Sequence, residues 1–332
     1  MKNIFGSKQM KFSFSIFLFI LLSSLLYGFG SYEESLSLTT ANTITLNHSL
    51  DSLFSVESQA TVTQDLIHSG TRSAIVTQTT SIVVFSAGNS NDCQNRTAMS
   101  LLGNTIYYNI YLTDSNTNHT PLKDAVTYQS SPDGMVNDFP VAYISSNQSS
   151  QITFSYTLEI PEDQFVPVGV YTDIIVADLY KNSVSGSPED SESITISITV
   201  ESSVNISIVD AGAGYNATTS NYGMDFGTLS EGEFLEADAV ARANTTYTIS
   251  IYSYNGSRMK HETVDEYVPY SLSIDNNSVN VTTPMTPVNA VMNAPLTPST
   301  GTAHPIKVTI DSYGWVPSGD YEDNLVLEIM GN

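Results

Sequence analysis

Apolar residues fall at alternate positions in a series of short runs along this chain. Leu36 and Leu38 begin the series, followed by Ile44 and Leu46. Ile152, Phe154, Tyr156, Leu158 and Ile160 form a longer run, and Ile194 to Val200 another. Val204, Ile206 and Ile208 come next, then Tyr270, Leu272 and Ile274, then Ile306, Val308 and Ile310, and finally Leu325, Leu327 and Ile329. A period of two places one side chain in two on a buried face, which is the signature of a half-buried β-strand. Residues 105–113 predict a further strand. Stretches rich in Gly, Asn, Ser, Asp or Pro separate the runs and predict loops at 86–95, 130–139, 181–191, 210–215 and 284–298. Residues 231–243 suit a helix by composition and a strand plus loop by context. Six or seven short strands per unit, with turn signals between them, predict an all-β chain of antiparallel sandwiches.

The last run follows a turn, Trp315-Val316-Pro317-Ser318-Gly319-Asp320-Tyr321-Glu322-Asp323. An earlier phrase, Phe165-Val166-Pro167-Val168-Gly169-Val170-Tyr171-Thr172-Asp173, repeats its Val, Pro, Gly, Tyr and Asp 150 positions upstream. Tyr108, Ile110 and Leu112 similarly resemble Tyr247, Ile249 and Ile251. Recurrence in the same order predicts two copies of one domain type. We place the first at 31–200 and the second at 201–332. Residues 31–46 either open the first copy or form a free extension. The chain ends three residues after Ile329, so no later strand of its own is expected to cover the final one.

Residues 1–30 read as a secretory signal peptide. Lys2, Lys8 and Lys11 precede an apolar run at 12–26, and Gly28 and Gly30 supply the small residues that cleavage requires. The expected route is secretion. The formal net charge is -23 and only 11 residues are Lys or Arg, which argues against a nucleic-acid partner. The single cysteine, Cys93, cannot form an internal disulfide and reads as a buried or incidental thiol. The motifs of catalysis are missing: there is no Gly-x-Ser-x-Gly elbow and no His-Glu-x-x-His. His48, His68, His119, His261 and His304 are scattered, which predicts loop or surface positions. Asp114-Ser115-Asn116-Thr117-Asn118 starts like a calcium loop, but His119 stands where glycine is needed. Gly212-Ala213-Gly214 is read as a turn, and the adjacent Glu162 and Asp163 as a solvated one. We therefore expect no enzyme activity, no cofactor and no metal.

Four segments of the second half together resemble the spore coat protein U-like domain, a pilin-type immunoglobulin-like sandwich of archaic chaperone–usher pili. They are Phe226-Gly227, residues 253–261, residues 268–275, and Gly319-Asp320-Tyr321-Glu322-Asp323 with its strand. The resemblance implies two immunoglobulin-like sandwiches in tandem after the signal peptide. It implies that the second lacks a strand, supplied first by a periplasmic chaperone and then by an adjacent pilus subunit at the outer-membrane usher. On that reading Val204, Ile206 and Ile208 form one groove wall and Leu325, Leu327 and Ile329 the other. The two-domain layout resembles the fimbrial tip adhesin, whose first domain attaches to a host or abiotic surface, as in biofilm formation. Val84, Phe85, Phe139, Val141 and Tyr143 are the apolar candidates for adhesive loops. A structural stalk or coat subunit and a secreted carbohydrate-binding sandwich are the alternatives.

Overall fold

A computed structural model describes residues 30–49, 53–113, 121–125, 128 and 135–332. The run before Gly30 read as a signal peptide, the 114–118 segment and the turn at Pro132 lie outside the described residues. Wherever alternation was clear, strands form. The N-terminal half holds β1 (Ser31–Thr40), β2 (Thr43–His48), β3 (Phe54–Ser69), β4 (Ala74–Val76), β5 (Thr79–Phe85) and β6 (Arg96–Ser100). It continues with β7 (Thr105–Leu112), β8 (Met135–Phe139), β9 (Ala142–Ile144), β10 (Gln148–Ile160), β11 (Gly169–Lys181) and β12 (Asp190–Val200). The C-terminal half holds β13 (Val204–Asp210), β14 (Phe234–Ala243), β15 (Tyr247–Ser253), β16 (Arg258–His261) and β17 (Tyr267–Ile274). After these come β18 (Asn277–Val279), β19 (Val288–Ala294), β20 (Thr302–Ile310), β21 (Tyr321–Glu322) and β22 (Leu325–Gly331).

The N-terminal strands run β1-β3-β10-β7-β6-β11-β12-β2, with β5 beside β11 and β8 beside β5. This sheet curls so that its inward side chains meet in one core, among them Leu38, Phe85, Tyr108, Tyr156, Ile175 and Ile196. The C-terminal strands run β13-β14-β20-β17-β16-β21, faced by a second sheet, β19-β15-β22. The chain is an all-β protein of two sandwiches.

Register relates the two sandwiches. Tyr171 lies opposite Ser100 and Ala177 opposite Phe85. At the 150-residue offset, Tyr321 lies opposite His261 and Leu327 opposite Ile251. The turns also match in detail. Tyr171 Oη donates to the Pro167 carbonyl at 2.7 Å, and Tyr321 Oη to the Pro317 carbonyl at 2.8 Å. Gly169 and Gly319 have φ of 151° and 155°, a region that side chains resist. Asp173 accepts from the amides of Asn89 and Ile174 and from Tyr108 Oη. Asp323 accepts from the amides of Asn255 and Asn324 and from Tyr270 Oη.

That last match corrects the second echo. Tyr108 on β7 corresponds to Tyr270 on β17, whereas Tyr247 lies on β15, which stands where β5 stands. Tyr-x-Ile-x-Ile patterns recur wherever an inward face starts with a tyrosine, so the phrase did not fix the strand. Three further expectations change. Residues 135–139 are strand β8, held by pairing with β5. Of the two readings of 231–243 the strand plus loop holds: residues 234–243 are β14, because Ala237, Ala239, Ala241 and Ala243 sit in the core between β13 and β20. Residues 288–294, expected in a loop, pair with β15 as β19. His48, His261 and His304 are buried rather than superficial. His304 is clamped between Tyr247 Oη and the Asp275 carboxylate, each at 2.7 Å.

The sandwiches meet at Asn244, which is fully buried. Its side-chain amide donates to the carbonyls of Val166 and Glu201, and its backbone carbonyl accepts from the Val168 amide at 3.0 Å. The Arg242 guanidinium stacks 4.9 Å from the centre of the Phe165 ring.

Candidate functional site

An opening in the C-terminal sandwich lies between β13 and β22. The Ile208 amide donates to the Thr219 carbonyl at 3.3 Å, but among the described residues the only ladder partner of β13 is β14 and that of β22 is β15. Each therefore turns one strand edge toward the other across a cleft of about 790 Å³. Ile206 and Ile208 line one side of it, and Leu325 and Leu327 the other. Val204 and Ile329 are not on the cavity wall. They pack with Ile206 and Leu327 against Ala241, Ala243, Tyr247 and Ile249, closing the cleft at the end nearer the N-terminal sandwich. Four of the six wall residues expected from the resemblance thus line the cleft, the other two close its end, and all six are only half-buried.

The floor was not anticipated. It is made by Met259, Tyr270, Ile306 and Val308, the inward residues of β16, β17 and β20. Their alternation was legible, but which face would be left uncovered was not. The far side is closed by the segment 220–226, whose Met224 and Phe226 turn inward. Tyr222 Oη donates to Asp210 at 2.7 Å and ties this segment to the end of β13.

The polar groups at the wide end are held in place. Tyr270 Oη donates to Asp323 at 2.6 Å. Burial and then that hydrogen bond push the phenol well above its ordinary range, so it stays a donor. Asp323 is also bonded to Ser253 and to two amides, which fixes the start of β22. These groups position a strand. No cluster of His, Cys, Asp or Glu able to hold a metal occurs among the described residues.

In the N-terminal sandwich the same gap is full. The counterparts of Val204 and Ile206 are Leu36 and Leu38, and those of Leu325, Leu327 and Ile329 are Ile175, Ala177 and Leu179. All five are buried. Between them runs β12, antiparallel to β11, with Ile194, Ile196, Ile198 and Val200 filling the core. The Leu38 amide donates to Asp190 Oδ2 at 2.8 Å, and β2 pairs with β12 in parallel along its outer edge.

The adhesive candidates divide. Val84 and Phe85 on β5 and Phe139 on β8 are buried, so a folded sandwich offers none of them to a surface. They were expected in loops, but β5 is a central strand, inserted between β11 and β8. Val141 and Tyr143 are 60% and 75% exposed. Tyr143 lies opposite Ile75 in the β4–β9 ribbon, and Ile75 is exposed as well. The ribbon packs on Leu66, at the end of β3 opposite Phe54. Twelve residues of strand put that roughly 40 Å from the end where the sandwiches join. Cys93 is a free, buried thiol, pushed above its ordinary range by burial.

No family model matches this chain. No curated protein matches it either. Solved structures do show likeness. A chain of the CsuC–CsuE chaperone–tip adhesion subunit pre-assembly complex, from archaic chaperone–usher Csu pili of Acinetobacter baumannii, matches at 15% identity and a TM-score of 0.44, over 90% of this chain and 99% of that one. CfaE, the adhesive subunit of CFA/I fimbria of enterotoxigenic Escherichia coli, matches at 10% identity and 0.36, over 88% of this chain and 98% of that one. The CupB6 tip adhesin of Pseudomonas aeruginosa matches at 9% identity and 0.34, over 90% and 95%. All three scores lie below 0.5, a level of likeness that says nothing about what this chain binds.

Proposed function

We propose that this protein is a fimbrial tip adhesin whose C-terminal sandwich is completed by a β-strand from another chain. The observation that carries the reading is the cleft between the facing edges of β13 and β22, with its half-buried aliphatic walls. An extended segment laid there satisfies the free backbone groups of β22, and its alternate side chains enter the apolar floor. Fully burying a wall residue such as Ile206 or Leu327 is worth about 1.5–3 kcal/mol relative to exposure, and half of that is still available at each. Four such residues weigh heavily against a net stability of about 5–15 kcal/mol. The partners are a periplasmic chaperone, the usher and the adjacent pilus subunit, and the setting is the fimbrium at the cell surface.

The terminal position is supported by residues 31–46. A stalk subunit needs a free segment to donate, whereas here these residues are β1 and β2, paired with β3 and β12. Attachment to a host or abiotic surface is assigned to Ile75, Val141 and Tyr143 on the exposed ribbon. The test is co-expression of the full chain with a strand-donating periplasmic chaperone. Soluble yield should rise several-fold and the chaperone should co-purify; equal yield without it sinks the reading. The double change Val141→Ser with Tyr143→Ser should abolish surface attachment while leaving pili intact.

A further inference from the structure

The cleft has two flanks at its wide end, and only one of them is a strand. One flank is Tyr321 to Leu325; the other is the segment 220–226, which belongs to no strand among the described residues. In the N-terminal sandwich the chain between the first and third strands is β2, and it lies parallel to β12, with Ile44 opposite Ile196 and Leu46 opposite Ile198. Ile196 and Ile198 in turn stand opposite Asp173 and Tyr171, the counterparts of Asp323 and Tyr321. β2 therefore covers the filling strand at the level where 220–226 faces the open cleft.

The side chains repeat the arrangement. Ile44 and Leu46 are two positions apart and turn into the core. Met224 and Phe226 are two positions apart and pack, half-buried, against the C-terminal core. No proline interrupts 220–228, so every residue there carries a backbone amide donor. Gly227, at φ 61° and bonded through its amide to Asp225 Oδ1, marks where such a strand stops.

We infer that residues 222–226 are a latent β-strand, which pairs in parallel with the incoming segment once the cleft is occupied. The inference rests on the strand-acceptor reading above. The occupant is then held on both edges, by β22 on one side and by 222–226 on the other, as β12 is held by β11 and β2. Its chemistry follows from β12. It is an extended segment with branched aliphatic residues at alternate positions, entering antiparallel to β22. Asp210, Asp225 and Glu322 are exposed at the wide end, with Lys260 paired across from Glu322, so a basic residue at the end of the occupant that lies there meets net negative charge.

The experiment adds to the full chain a synthetic peptide with the sequence of β12, Asp190–Val200, extended by two C-terminal lysines, and follows amide hydrogen exchange by mass spectrometry. The expected result is exchange slowed about tenfold or more both in β22 and in 222–226. A control peptide carrying Ile194→Asp and Ile198→Asp should protect neither. In the full chain, Met224→Asp should weaken binding of the parent peptide about tenfold while protection of β22 at saturation persists. Protection confined to β22 overturns the latent strand and leaves the cleft reading standing. Protection in neither overturns both.

Discussion

Leu38 and Ile175 in the N-terminal sandwich are separated by a strand of the same chain; their counterparts Ile206 and Leu325 are separated by a cleft. The walls are otherwise alike, in register and in residue type. What differs is β12, and with it the ordering of the segment along its outer edge, strand in one sandwich and irregular in the other. One molecule therefore contains both a filled and an unfilled version of the same core. The filled version indicates what the unfilled one accepts.

The sharpest way to break this comparison is to truncate matched wall residues. Leu38 is 2% exposed and Ile206 only half-buried. Leu38→Ala should cost about 2–5 kcal/mol in the opening free energy of the N-terminal sandwich, read by hydrogen exchange of β3. Ile206→Ala should cost the free C-terminal sandwich about half as much, and the loss should grow once the cleft is filled. Equal losses in the free chain would mean that the two gaps are not equivalent.

Tyr108→Phe and Tyr270→Phe test the shared turn. Each removes the phenol that donates to Asp173 or Asp323 at 2.6 Å. Each should cost about 1–3 kcal/mol, because the carboxylate keeps its burial and loses a donor. Similar losses sharpen the correspondence of β7 with β17; a large loss in one and none in the other dissolves it.

The smallest effect concerns how the N-terminal gap is latched. Glu34 on β1 is bonded by Lys181 Nζ at 2.8 Å and by Gln64 Nε2 at 2.6 Å. Burial favours the neutral acid, but these hydrogen bonds and the Lys181 charge outweigh it and hold the carboxyl below its ordinary value of 4.5. A lowered carboxyl stabilises the fold fully above pH 4.5, and the contribution is lost as pH falls through the lower folded value. Glu34→Gln should therefore cost about 1 kcal/mol or less at neutral pH and nothing in strong acid. The C-terminal counterparts, Ser202 and Gly331, carry no charge, so this latch has no equivalent at its cleft.

The residues themselves determined the strand class. Alternation at Ile152 to Ile160 or Ile194 to Val200 needs only a two-residue repeat, a local property of the backbone. The repeated Val, Pro, Gly, Tyr and Asp likewise became two identical turns, because each residue has a local role: a carbonyl acceptor for the tyrosine, a positive φ for the glycine, a cap for the following amide. The six wall residues were legible by resemblance as two alternating runs. Tertiary structure alone decided the rest. Phe85 and Tyr143 are both large aromatics that follow an apolar residue, yet one lies in the core and the other in solvent, because burial depends on which strands lie alongside. Met224 was singled out by no pattern and Phe226 only as part of a resemblance, yet both became a wall of the cleft for the same reason. Whether a strand edge is covered depends on residues far away in the chain, and no short-range pattern carries that.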